Sequence, residues 1–380
     1  MSASATPADP VFIVGLYKNG TSWLLSALAA HPEFAALREL DVLRSVAGRS
    51  GRRLLPAEQR LANVFGKSAF CALRAEQLAQ ARGLYRVPAA EAVAGLASLF
   101  AAEEGKSGPW ISRGKPLGFM NFQPETLTAA FAALQRSVTP AAAMDGFLTA
   151  LAPGLPPGRR LVLKGADQIL CLDALQAWRP RSPKIAIVRD GRDAAVSAFH
   201  YRELMRERRM AWHHDHLSFV KPFALARDAG IRSLTAARRL LGHGPDWRLG
   251  RSMGVWAERV RRVLAAAEKG ELYVLRYEDL LTDFEAHFGH LLEWLGADHS
   301  PATVAAVAKA SSFEAMSGRP QGVVGQDVMR KGVAGEWREG LTARDQALAW
   351  RIAGAELAAM GYSRDGALAV FNPPGRAGGN

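Results

Sequence analysis

Lys18, Lys164 and Arg189 each stand just beyond a short apolar run: Val11 to Val14, Leu161 to Leu163, and the run from Lys184 to Val188. A cation at the carboxyl end of a parallel strand is where open α/β sheets meet anionic ligands. The first lies in VGLYKNGTSWL, residues 14 to 24. Gly15 and Gly20 have the spacing of the nucleotide loop G-x-x-x-x-G-K-[ST], but Thr21 stands where that pattern needs lysine, and Lys18 lies inside the loop. Backbone N–H groups from Asn19 to Ser22 would face an anion at the start of the next helix, where the dipole favours negative charge. Thr21 and Ser22 add hydroxyl donors, and Lys18 would reach a bridging or terminal oxygen of the same anion. The bland alternative is a glycine-containing strand-to-helix turn without a ligand.

Two further stretches carry cations. In RDGRDAAVS, Arg189 closes a strand and Ser197 follows about two helical turns later, so both could address one phosphate. The competing reading is a capping network of Asp190, Asp193 and Arg192. In MRKGVAGEW, Arg330 and Lys331 precede Gly332, a pattern that alone would also fit a solvated basic turn. Together the stretches imply two anion sites, one around Lys18 and one shared by Arg189, Ser197 and Arg330 to Gly332. A nucleotide phosphorylated at both its 5′ and 3′ ends satisfies that arrangement, whereas ATP has no use for the second site.

The elements that must position these residues are strands followed by helices. Strands are expected at Val11 to Val14, Leu161 to Leu163 with Lys164 after it, Lys184 to Val188 and Leu272 to Leu275, with helices over 21–30, 168–178, 193–204 and 284–295. The expected fold is α/β: a P-loop-containing central parallel sheet flanked by helices, in a single domain spanning 1–380. Residues 44–150 and 205–250 are expected to be helical insertions over the ligand edge, and 363–380 a loose tail. Of the 380 residues 49% are hydrophobic and 22% charged, an ordinary globular balance. The start has no secretory-signal pattern, and no apolar run is long enough to span a membrane. Two cysteines, Cys71 and Cys171, make no disulfide framework, so a cytoplasmic setting is expected. The net charge of +12 suits anionic ligands. No nucleic-acid-binding module is recognisable.

These blocks resemble those of sulfotransferases that use 3′-phosphoadenosine 5′-phosphosulfate (PAPS). YKNGTSW is similar to the family's 5′-phosphosulfate loop and RDGRDAAVS to its 3′-phosphate motif. RYEDLLTD, SSFEAM and RKGVAGEW resemble later blocks of the cytosolic aryl and steroid branch, in family order. The resemblance covers roughly 11–45, 160–204 and 255–340. It implies PAPS as donor, 3′,5′-ADP (PAP) as product and no metal. By the same resemblance Trp23, Tyr277 and Phe313 lie on the adenine side, and Ser312, Met316, Arg330, Lys331 and Gly332 complete the nucleotide site.

The cytosolic branch carries its general base as a histidine two residues after the second strand's lysine, and here that place is Ala166. Asp167 is adjacent. The stretch AAHPEFAALRELDVL offers another: in tyrosylprotein and heparan-type sulfotransferases a glutamate follows the loop's basic residue after a similar His-Pro turn, and counting 21 from Lys18 reaches Glu39. The resemblance thus implies Glu39 as base, with Lys18 and Lys164 stabilising the charge that develops on the donor. Its alternative is a helix-surface glutamate paired with an arginine. WHHDHLSF sets His213, His214, Asp215 and His216 close together, but their spacing is poor for a metal site on a helix, and a polar loop facing the acceptor fits better. The expected partner is a small-molecule, lipid or glycan hydroxyl acceptor, and Trp110, Phe119, Phe122 and Trp212 are candidates for its pocket. A homodimer stays open. The other classes are a non-catalytic anion-binding member of the fold and a P-loop kinase, which lacks its lysine after Gly20.

Overall fold

The structure is a computed structural model that describes residues 9–37, 42–48, 51–57, 59–61, 83–84, 86–101, 122–165, 168–207, 221–325 and 329–372. Its centre is a parallel sheet of five strands: β1 (Val11–Ile13), β2 (Phe34–Leu37), β3 (Arg160–Lys164), β4 (Lys184–Val188) and β5 (Tyr273–Arg276), in the order β2-β3-β1-β4-β5. The register sets Ile13 beside Lys164 and beside Ile185, and Val188 beside Arg276. Parallel strands covered on both faces read as continuous apolar runs, as these do. Side chains still alternate: Val11 and Ile13 join a layer with α1 (Thr21–Ala30), while Phe12 and Val14 join the opposite layer.

The second face carries most of the remaining helices. Among the described residues these include α2 (Val42–Ala47), α3 (Ala89–Ala101), α4 (Pro124–Arg136), α5 (Pro140–Leu151), α6 (Leu172–Trp178), α7 (Gly191–Glu207) and α9 (Leu249–Glu268), while α8 (Lys221–Leu240) contributes no described residue to the core on that face. Phe131, Phe147, Leu175, Val196 and Val260 bring α4, α5, α6, α7 and α9 into one core with Phe12 and Val188. After β5 come α10 (Tyr277–Thr282), α11 (Phe284–Leu295), α12 (Pro301–Ala310), α13 (Phe313–Ser317), α14 (Trp337–Gly340) and α15 (Ala343–Ala359). Helix α11 returns to the first face, where Phe288 and Leu292 meet Leu25 and Leu28 of α1. Neighbouring β1 and β4 thus feed helices on opposite faces, and their carboxyl ends open a crevice between them.

Four expectations shift. The strand β2 was not foreseen, because Phe34–Leu37 is alanine-rich and follows a helix directly. Its extended form is imposed by pairing with β3, Phe34 opposite Arg160, and all four residues are buried. His31 makes the break: it caps α1 in extended conformation, and its ring bonds the Asp298 carbonyl at 2.8 Å while accepting from the Glu33 N–H. Helix α7 begins at Gly191, two residues early, and β5 ends at Arg276 rather than Leu275. Residues 363–371, expected to be loose, are tied down. Arg192 donates to the Ser363 and Arg364 carbonyls, Arg276 to that of Ala369 and Arg338 to that of Gly366.

Candidate active site

The loop from Gly15 to Gly20 leaves the middle strand and turns sharply into α1. Gly20 caps the helix in the left-handed region at φ 91, with no side-chain cap. A Cβ there would lie 2.5 Å from the Tyr277 ring, so the close approach also excludes other residues. Lys18 has φ 63, a conformation costly for a non-glycine residue and concentrated at functional sites. Its ammonium sits 4.4 Å from the Tyr201 ring on α7. Across the loop, Lys164 is almost wholly buried, and its Nζ reaches Ser22 Oγ at 3.1 Å. The lysine that closes β3 is thereby set at the amino end of α1, where the helix dipole already favours an anion.

The next strand end is joined to this loop directly. Asn19, fully buried, accepts the Arg189 backbone N–H on Oδ1 at 2.7 Å and donates Nδ2 to the Tyr17 carbonyl. The Arg189 guanidinium pairs with Asp193 at 3.3 Å, donates to the Val333 carbonyl at 2.6 Å and lies 4.8 Å over the Tyr277 ring. Its Nε is buried without a hydrogen-bond partner among the described residues. Burial lowers the pKa of this arginine, but Asp193, Tyr277, Glu278 and Glu336 outweigh it and hold the group firmly charged.

Asp193 also fixes the third stretch, its carboxylate accepting the N–H groups of Gly335 at 2.6 Å and Trp337 at 2.9 Å. This brings the basic turn to Arg189, with Arg330 and Lys331 both paired to Glu336. Gly332, at φ 70, lies on the Phe313 ring so closely that any Cβ would collide with it. Ser312 caps α13 through the Ala315 N–H, and the Met316 N–H bonds the Ser312 carbonyl, so this pair shapes the short helix that presents Phe313. Trp23 packs against Tyr277 at 5.3 Å and donates its indole N–H to Ser311. Ser197 is half-buried on α7, two turns after Arg189.

Beneath Arg189 lies a buried polar layer. Glu278 accepts the Asp190 N–H on one oxygen and the Tyr362 hydroxyl on the other, at 3.1 and 2.6 Å. Burial pushes its pKa up to about 7, against those two hydrogen bonds. Asp190 is also raised by burial, although Arg192 grips it with Nε and Nη2.

Thus Lys18 to Trp23, Lys164, Arg189, Tyr277, Phe313 and Arg330 to Gly332 converge around the carboxyl ends of the strands. Glu39, Ala166, Asp167, Trp110, Phe119, Trp212 and His213 to His216 lie outside the described residues, while Phe122 is buried in the core beside Gly154. Sequence reasoning gave Asp193 only a capping role and passed over Glu278, Glu336 and His200. His200 follows Ser197 by three positions on α7, which was the available signal. Burial, then Arg330 and Lys331, lower its pKa. Among the described residues, no group of three His, Cys, Asp or Glu is placed to hold a metal, and no helix is long and apolar enough to cross a membrane.

A model of the sulfotransferase family matches residues 10–249, and one of the sulfotransferase domain matches 172–361. The chain belongs to the sulfotransferase family. Over 99 residues it is 32% identical to mouse sulfotransferase 2A1, covering 23% of this chain and 35% of that protein. Against the 3-beta-hydroxysteroid sulfotransferase of Cavia porcellus it is 31% identical over 99 residues, 23% of this chain and 34% of the other. The chain thus spans about a third of the length of the curated relatives it matches. Among solved structures, mouse sulfotransferase SULT7A1 complexed with PAP aligns with a TM-score of 0.45 at 14% identity, over 94% of this chain and 87% of that one. Sulfotransferase STF9 from Mycobacterium avium gives 0.45 at 14% identity, over 93% and 77%.

Proposed function

We propose that this protein transfers a sulfuryl group from PAPS to a hydroxyl of a small-molecule, lipid or glycan acceptor. The 5′-phosphosulfate is held by the N–H groups of α1 with Thr21 and Ser22, and the 3′-phosphate by Arg189, Ser197 and the Arg330 to Gly332 turn. Trp23, Tyr277 and Phe313 pack along the adenine, whose apolar faces suit aromatic rings. The acceptor oxygen attacks sulfur in line, its S–O bond forming as the bond to the 5′-phosphate oxygen breaks. The leaving electron pair stays on that oxygen, where Lys18 stabilises it, and Lys164 faces the sulfuryl oxygens. The acceptor proton passes to Glu39 as general base. With two cysteines in the chain, the reading places the enzyme in a reducing cytoplasm.

The observation that carries the reading is the bond from the Arg189 N–H to Asn19, which couples two cationic sites that a doubly phosphorylated nucleotide needs together. Calorimetric titration with 3′,5′-ADP, 5′-AMP and ATP tests it. A marked preference for 3′,5′-ADP, lost in Arg189→Ala, is the expected result, followed by turnover of PAPS that Glu39→Gln abolishes. Equal or tighter binding of ATP returns the chain to a kinase reading. Binding without turnover would leave a non-catalytic nucleotide-binding protein.

A further inference from the structure

The basic turn carries its own anion. Glu336 forms ion pairs with Arg330 Nη2 at 2.6 Å and Lys331 Nζ at 3.4 Å, both through Oε1, which is buried without a hydrogen-bond partner among the described residues. Its side chain is only 9% exposed, so the pairing is sheltered from solvent. The backbone on either side of it is pinned, because the Gly335 and Trp337 N–H groups both donate to Asp193. Arg189 belongs to the same cluster: it holds the Val333 carbonyl, and Glu336 helps keep it charged. A single carboxylate thus pairs with two cations and adds its field to a third. It does not saturate them, since the Nε atoms of Arg189 and Arg330 are buried with no hydrogen-bond partner among the described residues.

We propose that Glu336 is a built-in stand-in for the 3′-phosphate, holding Arg330 and Lys331 until the nucleotide displaces it. The inference rests on the PAPS reading above. A phosphomonoester brings nearly two negative charges and three acceptor oxygens, so it outcompetes one carboxylate for these donors. A free 3′-hydroxyl cannot displace an ion pair. A nucleotide lacking the 3′-phosphate therefore leaves the turn closed on Glu336, and the cost of displacing the carboxylate falls on the 3′-phosphorylated ligand alone. The carboxylate spares the empty site from holding uncompensated buried cations.

The test is calorimetry with 3′,5′-ADP and 5′-AMP on the wild-type chain, Glu336→Gln and Glu336→Asp, with a thermal melt of each. Glu336→Gln is expected to tighten 3′,5′-ADP about tenfold and leave 5′-AMP unchanged. Glu336→Asp, whose shorter carboxylate withdraws from Arg330, is expected to fall between. If the glutamine variant does not fold, the aspartate variant decides alone. Unchanged or weaker 3′,5′-ADP binding in a folded variant overturns the proposal and makes Glu336 a loop scaffold. A wild-type chain with no preference for 3′,5′-ADP overturns the PAPS reading instead, so the two failures are separable.

Discussion

Asn19 and Arg189 are joined by one buried hydrogen bond, the arginine's backbone N–H to the asparagine's Oδ1 at 2.7 Å. The turn after the middle strand and the end of its neighbour therefore hold a fixed separation. A ligand spanning both meets a distance set before it arrives, which limits the ordering cost of binding.

Asn19→Ala removes that acceptor and leaves the Arg189 N–H buried and unpaired. Stability in urea should fall by about 1–3 kcal/mol. Affinity for 3′,5′-ADP should fall more than that for 5′-AMP, because only the former uses both ends. A variant as stable as wild type, with both affinities intact, would show that the strand ends are held by other means.

Gly332→Ala places a methyl group against the Phe313 ring at a backbone φ of 70. The left-handed conformation alone costs a non-glycine residue about 1–2 kcal/mol. Either the turn or the ring must shift, and 3′,5′-ADP binding by titration should weaken while the melting curve changes modestly. Unaltered affinity would separate this turn from the nucleotide.

Lys164→Met keeps much of the side chain's bulk and removes its charge beside Ser22. If the lysine faces developing negative charge, PAPS turnover should fall by about 10²–10³, the usual cost of losing one such donor. The 3′,5′-ADP affinity should change much less. Loss of binding equal to the loss of turnover would give Lys164 a ground-state role only.

Glu278 makes stability depend on pH. Its pKa rises from 4.5 to about 7 in the folded chain, so the native state holds a proton that the unfolded state releases. The resulting stabilisation is fully present below about pH 4.5 and is lost as pH rises through about 7, at no more than about 1.4 kcal/mol per pH unit. Urea midpoints across that range should decline for wild type and flatten for Glu278→Gln, where Tyr362 can turn its hydroxyl to accept. Parallel declines in both proteins would refute the assignment.

The fold was legible where hydrophobic runs were uninterrupted: β4 and the helices over 21–30 and 284–295 fall where the sequence places them. It was illegible at Phe34–Leu37, where two alanines between Phe34 and Leu37 take their form from a neighbouring strand. The cations of the site could be read because each stands at a strand end or within two residues of a glycine. Their anionic partners could not. Asp193 looks like a helix-start residue until a distant turn is folded onto it, and Glu278 becomes unusual only when Tyr362 and Asp190 bury it. Spacing along the chain carries the first kind of information, and tertiary packing creates the second.

The turn from Arg330 to Trp337 is anchored largely through its main chain: Val333 offers a carbonyl, and Gly335 and Trp337 offer N–H groups. Nearly every residue supplies those groups, proline alone lacking the N–H. Mutational drift at Val333 and Ala334 can therefore pass through selection without moving the turn from its berth. Proline at 337 would unmoor it in one step.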